Sequence, residues 1–111
     1  MLSVGSVFVK VGGDMDLLFV QLAPPDKNIS KDGKICRDPD VWGFCCSGAM
    51  YSAGSESDCT AATAGPLEVK VQSGAAEFWQ GGKRLARVTG LPAAVKLVVS
   101  LRNKGQFVKL L

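Results

Sequence analysis

Apolar and polar residues alternate with a period of two through most of the second half of the chain. Leu67, Val69 and Val71 alternate with Glu68, Lys70 and Gln72, as in a strand with one face in a core and the other in water. Ser73-Gly74 supplies a turn, and Ala75 to Gln80 returns with Phe78 in the inward phase and Trp79 in the outward one. Gly81-Gly82 is a hairpin signal, because two consecutive positive-φ residues suit the primed turns that match strand twist. Lys83 to Val88 reads as the next strand, exposing Lys83, Arg84 or Arg87 in alternation. Thr89-Gly90-Leu91-Pro92 then crosses over. Val95, Leu97, Val99 and Leu101 form one face of a further strand, and Asn103-Lys104-Gly105 turns the chain into a last run, Gln106 to Leu111.

The first half is less regular. Ser6 to Val11 alternates, with Val7, Val9 and Val11 on one side. Met15 to Leu22 is apolar on both faces, as in a strand covered from two sides. The short Gly12-Gly13-Asp14 connection predicts that these two strands are antiparallel neighbours. Ala23 to Asp40 is a long loop rich in proline and charge, with one short edge strand expected near Lys34 to Cys36. Val41 to Tyr51 reads as one strand with Trp42, Phe44 and Cys46 on one face. Ser52 to Pro66 is a second loop of small residues, in which Ala61 to Ala64 can form a helical turn. Many short strands punctuated by glycine, without an internal repeat, predict an all-β antiparallel sandwich.

Composition narrows what such a sandwich does. A chain of 111 residues, 47% hydrophobic and 21% charged, is expected to form one domain with one core. The net charge of +3 is too small to signal nucleic acid. Seven of the 13 basic residues fall among the last 29 positions: Lys83, Arg84, Arg87, Lys96, Arg102, Lys104 and Lys109. Their expected place is a solvated outer sheet face that resists edge aggregation. No apolar run approaches the roughly 20 residues of a membrane span. The start, Met-Leu-Ser-Val-Gly-Ser-Val, lacks the basic leader of a secretory signal, so an intracellular, cytoplasmic location is the expectation.

Histidine is absent, so no Ser-His or Cys-His nucleophile pair exists within the chain. The acid pairs Asp14/Asp16 and Asp38/Asp40 sit beside glycine or proline, where Asp commonly bonds its own backbone. The spacing of Cys36, Cys45, Cys46 and Cys59 does not fit zinc ligation. Adjacent Cys45 and Cys46 should face opposite ways if they lie in a strand, and buried free thiols are expected rather than disulfides. Asn28-Ile29-Ser30 fits a glycosylation sequon that matters only in a secreted protein. No enzyme activity and no cofactor is expected.

Taken in order, these residues resemble the SPRY domain family. The resemblance rests on Trp42-Gly43-Phe44 opening a strand, then Tyr51 with Gly54, then the Leu67 to Val71 strand. It continues through the hairpin Phe78-Trp79-Gln80-Gly81-Gly82-Lys83, followed by Leu91-Pro92 and Val95 to Leu101. It covers about Val7 to Leu111, with most of the motif content in the second half. The family's Gly-Asp before the Leu67 strand is Gly65-Pro66 here, its hairpin Asn is Gly81, and the chain is short enough that an early strand is missing or supplied elsewhere. The resemblance implies a jelly-roll sandwich that binds proteins or peptides through loops at one rim, without catalysis.

The expected rim comprises Ala23 to Asp40 and Ser52 to Pro66. Candidate partner-binding residues there are Lys27, Asn28, Lys31, Arg37, Asp40, Glu56 and Asp58. Trp79 joins them as an outward aromatic anchor. Two other readings share the architecture. One is a lectin-like carbohydrate binder; the other is a structural subunit completed by a neighbouring chain along the apolar edge Phe107 to Leu111.

Overall fold

A computed structural model describes residues 4–29 and 35–111. These residues form strands and connections without a helix, so none is present to cross a membrane. The strands are β1 (Gly5–Gly12), β2 (Phe19–Ala23), β3 (Trp42–Cys45), β4 (Ala49–Ser52), β5 (Ser55–Asp58), β6 (Gly65–Gln72), β7 (Ala75–Gln80), β8 (Lys83–Thr89), β9 (Lys96–Ser100) and β10 (Phe107–Leu110). They make two five-stranded antiparallel sheets, ordered β10-β1-β6-β7-β8 and β5-β4-β3-β2-β9. The all-β antiparallel sandwich expected from the pattern is what forms.

The sheets meet through their inner faces. Val9, Val11, Leu67, Val69, Phe78 and Val88 of the first sheet pack against Val20, Leu22 and Phe44 of the second. Phe44 and Phe78 stack at the centre, ring centroids 5.2 Å apart. Each ring is fully buried, and such burial stabilises by about 2–3 kcal/mol per side chain.

Three expectations about organisation are corrected. The first concerns β1 and β2, which lie in different sheets rather than side by side. Between them, Gly13 takes a φ of 84° and Leu17 one of 56°, and the chain crosses from sheet to sheet. A second crossing, between β9 and β10, packs directly on the first: a Cβ at Gly13 would lie 2.5 Å from the Gly105 carbonyl oxygen. The buried Gln106 joins the two. Its amide donates to the carbonyls of Asp14 (2.7 Å) and Asp16 (2.5 Å), and its oxygen accepts from the backbone of Arg102 and Asn103.

Secondly, Val41 to Tyr51 is not one strand. Gly48, at a φ of 113°, turns the chain between β3 and β4, and its amide bonds the Cys45 carbonyl at 3.0 Å. Trp42, Phe44 and Cys46 do share the inner face as expected.

Thirdly, Ser52 to Pro66 is no free loop. It contains β5, which pairs with β4, and then a segment fastened to both sheets. Thr60 donates to Leu85, Ala62 donates to Cys46, and the Gln80 amide bonds Thr63. The Ala62 side chain enters the core. No helical turn forms at Ala61 to Ala64, because backbone groups a helix would use are bonded to other strands. The edge strand expected near Lys34 to Cys36 is not seen at Ile35 or Cys36; Lys34 lies outside the described residues.

Candidate functional site

Strand β2 is buried on both faces, and described residues of the Ala23 to Asp40 connection pack against its outer side. Ile29 and Ile35 from this connection pack with Ala23, Val41 and Val98 at one end of the sheet. Cys36 packs with Phe19, Cys45, Ala49 and Tyr51 at the other. The described parts of this connection, residues 24–29 and 35–40, thus act as a strap held against the second sheet.

Lys27 fastens the strap to itself. Its ammonium lies 2.7 Å from Asp40 and 3.1 Å from Asp38, and its backbone carbonyl accepts from Lys96 Nζ at 2.7 Å. The hydrogen bonds to Asp40 and Asp38 hold the Lys27 pKa above its ordinary value. Further along, Arg37 donates to Glu56 at 2.5 Å and places its guanidinium 5.9 Å from the centre of the Tyr51 ring. Burial pushes the Tyr51 phenol up to about 12, with smaller contributions from Cys36, Glu56 and Cys45.

The strap's far end walls a groove of about 440 Å³ lined by Leu17, Phe19, Cys36, Arg37 and Arg102. Its lining is mostly apolar, and two arginines contribute to it. Arg102 follows β9 in the same phase as Ser100, the residue opposite Phe19. Among the described residues Arg102 makes no ion pair. Leu17, 45% exposed, holds its positive φ at the mouth; a non-glycine residue in that region stores about 1–3 kcal/mol of strain.

The expected contact residues are thus sorted into separate places. Lys27 and Asp40 meet in the clamp; Asn28 is exposed beside it. Arg37 and Glu56 meet near the groove, Arg37 lining it and Glu56 holding the guanidinium. Asp58 lies at the end of β5 in a shallow depression with Arg84 and Arg87. Lys31 and Ser30 of the sequon lie outside the described residues.

Trp79 sits apart from all of these, on the outer face of the first sheet. Its indole N–H donates to Glu77 at 3.0 Å, and Lys70 stands 5.2 Å from its ring centre. Glu77 also receives Arg84 at 3.0 Å, with Arg87 at 3.8 Å. The Trp79 and Arg84 hydrogen bonds hold the Glu77 carboxyl below its usual range. A β-bulge makes this cluster. Phe78 pairs with Ala86 but Trp79 pairs with Arg84, so Leu85 is the extra residue and both Leu85 and Ala86 turn into the core.

Residues missed in the sequence as part of this groove are Leu17, Phe19, Cys36 and Arg102. Phe19 had a signal, since the two-faced apolar pattern required something to cover its outer side. Arg102 had none, because its neighbours in the groove come from distant segments. The thiols are all free. Cys45 faces the outer patch and Cys46 the core, as their adjacency predicted. Burial pushes Cys46 up to about 12 and Cys59 up to about 11. Among the described residues no cluster of Cys, Asp and Glu converges as metal ligands do. Compared with family models and with curated proteins, the sequence finds no match.

Proposed function

We propose that this chain is a non-enzymatic protein-interaction module of the SPRY type, with that family's jelly-roll connectivity. Its groove beside Arg37 and Arg102 takes a peptide segment that joins an apolar side chain to a carboxylate. The observation that carries the reading is the groove's composition: an apolar lining of Leu17, Phe19 and Cys36 together with two arginines. Arginine forks favour carboxylates through bidentate hydrogen bonds, and an apolar lining rewards a buried aliphatic or aromatic side chain. The clamped strap supports it further, because a wall already ordered costs less entropy on binding.

The placement of the motifs fits the family reading. Trp42-Gly43-Phe44 opens β3, Gly81-Gly82 turns β7 into β8 with φ angles of 58° and 78°, and Leu91-Pro92 leads from one sheet to the other. Four free thiols are in keeping with a reducing, intracellular compartment.

The test is a peptide array varying charge and side-chain size, followed by titration of the best sequences against wild type, Arg37→Ala and Arg102→Ala. Peptides pairing Asp, Glu or a terminal carboxylate with an apolar residue are expected to bind. Each arginine loss should weaken them about tenfold, the scale of one charge-assisted hydrogen bond. Unchanged affinity in both variants would rule the groove out.

A further inference from the structure

The first sheet ends in β10, whose far edge is paired with no strand among the described residues. Its side chains are unusual for an edge left to water: Phe107 is 44% exposed, Leu110 71% and Leu111 60%. On the outer face, the Phe107 ring occupies the space that a side chain at Gly12 would need. At the other end of the row Leu111 reaches Phe8, itself 50% exposed, and its amide donates to the Phe8 carbonyl at 2.9 Å. Between the two apolar ends, Lys109 stands directly opposite Lys10. Neither lysine makes an ion pair among the described residues. Like charges directly opposed across a pair of strands are unfavourable, so this spot is short of an anion.

The hydrogen-bond phase shows which backbone groups are free. Leu111 donates to β1, and pairing alternates along an antiparallel ladder, so Lys109 and Phe107 also turn their N–H groups toward β1. Those of Val108 and Leu110 point away from it.

The geometry points to a second binding site at this edge: β10 accepts an extended segment of another polypeptide as an added strand. The segment carries Asp or Glu opposite Lys109 and apolar residues two positions to either side, facing Phe107 and Leu111. Main-chain bonds to Val108 and Leu110 supply affinity, and the alternate side chains supply selectivity. The charge also selects against a second copy of this chain. Any antiparallel pairing of β10 with itself that keeps the outer faces together sets the two Lys109 side chains opposite or diagonally adjacent, beside two more lysines. This site lies on the other sheet from the Arg37 groove, and neither depends on the other.

The test uses short capped peptides with Glu, Lys or Thr at the centre of an otherwise fixed apolar-x-centre-x-apolar pattern, titrated by fluorescence anisotropy. The Glu peptide should bind about tenfold more tightly than the Lys peptide, from the gain of attraction and the removal of repulsion. Lys109→Glu should reverse that order. Leu110→Pro removes an outward N–H without touching the β1 ladder and should abolish binding while leaving the thermal midpoint unchanged. If that variant unfolds, a Glu peptide N-methylated on its pairing edge replaces it and should fail to bind. Affinity indifferent to the central residue, binding that survives both blocks, no binding by any peptide, or an edge-to-edge dimer of the free chain in light scattering would each overturn the proposal.

Discussion

Lys27 is the residue whose removal tests most directly how the strap is held. Lys27→Met keeps the aliphatic stem and deletes the ammonium that meets Asp40 at 2.7 Å and Asp38 at 3.1 Å. The lysine side chain is only 15% exposed, but its partners are 42% and 45% exposed, so water screens both contacts. Exposed pairs contribute about 0.2–1 kcal/mol each, which sets the expected loss at about 1 kcal/mol. In a domain of this size that lowers the thermal midpoint by about 4 °C. The sign of the pH dependence follows from the raised lysine pKa. The clamp's contribution is complete below the ordinary lysine value of about 10.4 and disappears as pH climbs through the raised folded value. The assay is chemical unfolding of wild type and variant at pH 8, 10 and 11.5. The buried thiols and Tyr51 weaken both proteins alike at alkaline pH, so the difference between them isolates the clamp. That difference should be about 1 kcal/mol at pH 8 and shrink at the highest pH. Equal stability at pH 8, or a difference that grows with pH, would refute the clamp.

Three further outcomes are expected. Alkylation of the native protein at pH 8, followed by peptide mapping, should modify Cys36 first. Cys45 and Cys46 are buried, and Cys59, pushed up to about 11, holds little thiolate at that pH. Phe78→Ala should cost about 3–5 kcal/mol in urea unfolding, because the ring is wholly buried against Phe44 and the two sheets cannot close over the gap. Gly81→Asn should leave stability within about 0.5 kcal/mol, since Asn tolerates the 58° φ at that turn, whereas Gly82→Val should destabilise by more than 1 kcal/mol.

Much of the closing half was legible from alternation. Leu67, Val69, Val71 and Phe78 face the core, Trp79 faces out, and Gly81-Gly82 makes the hairpin. In each case the information is local, because a pleated strand assigns neighbouring residues to opposite faces whatever lies beyond it. The candidate site was legible only in part. Arg37 and its connection were singled out because a long charged connection is unusual, but nothing in the local pattern foretold that Ile35 and Cys36 beside it cover a sheet. Of the groove, Arg37 alone stood among the expected contact residues.

The sequence by itself determined the class of the fold, the phase of its clearest strands and the opposed directions of Cys45 and Cys46. The tertiary structure decided which sheet each strand joins. Gly12-Gly13-Asp14 looks like a tight hairpin connection, but the backbone packing of Gly13 on Gly105 and the hydrogen bonds of Gln106 make it a crossing between sheets. It also decided that Arg84 and Arg87, three positions apart, both serve Glu77, because the bulge at Leu85 breaks the alternation that would separate them. Both outcomes depend on residues far apart in the chain, and a period of two records only which side of a strand a residue takes, never which strand lies beside it.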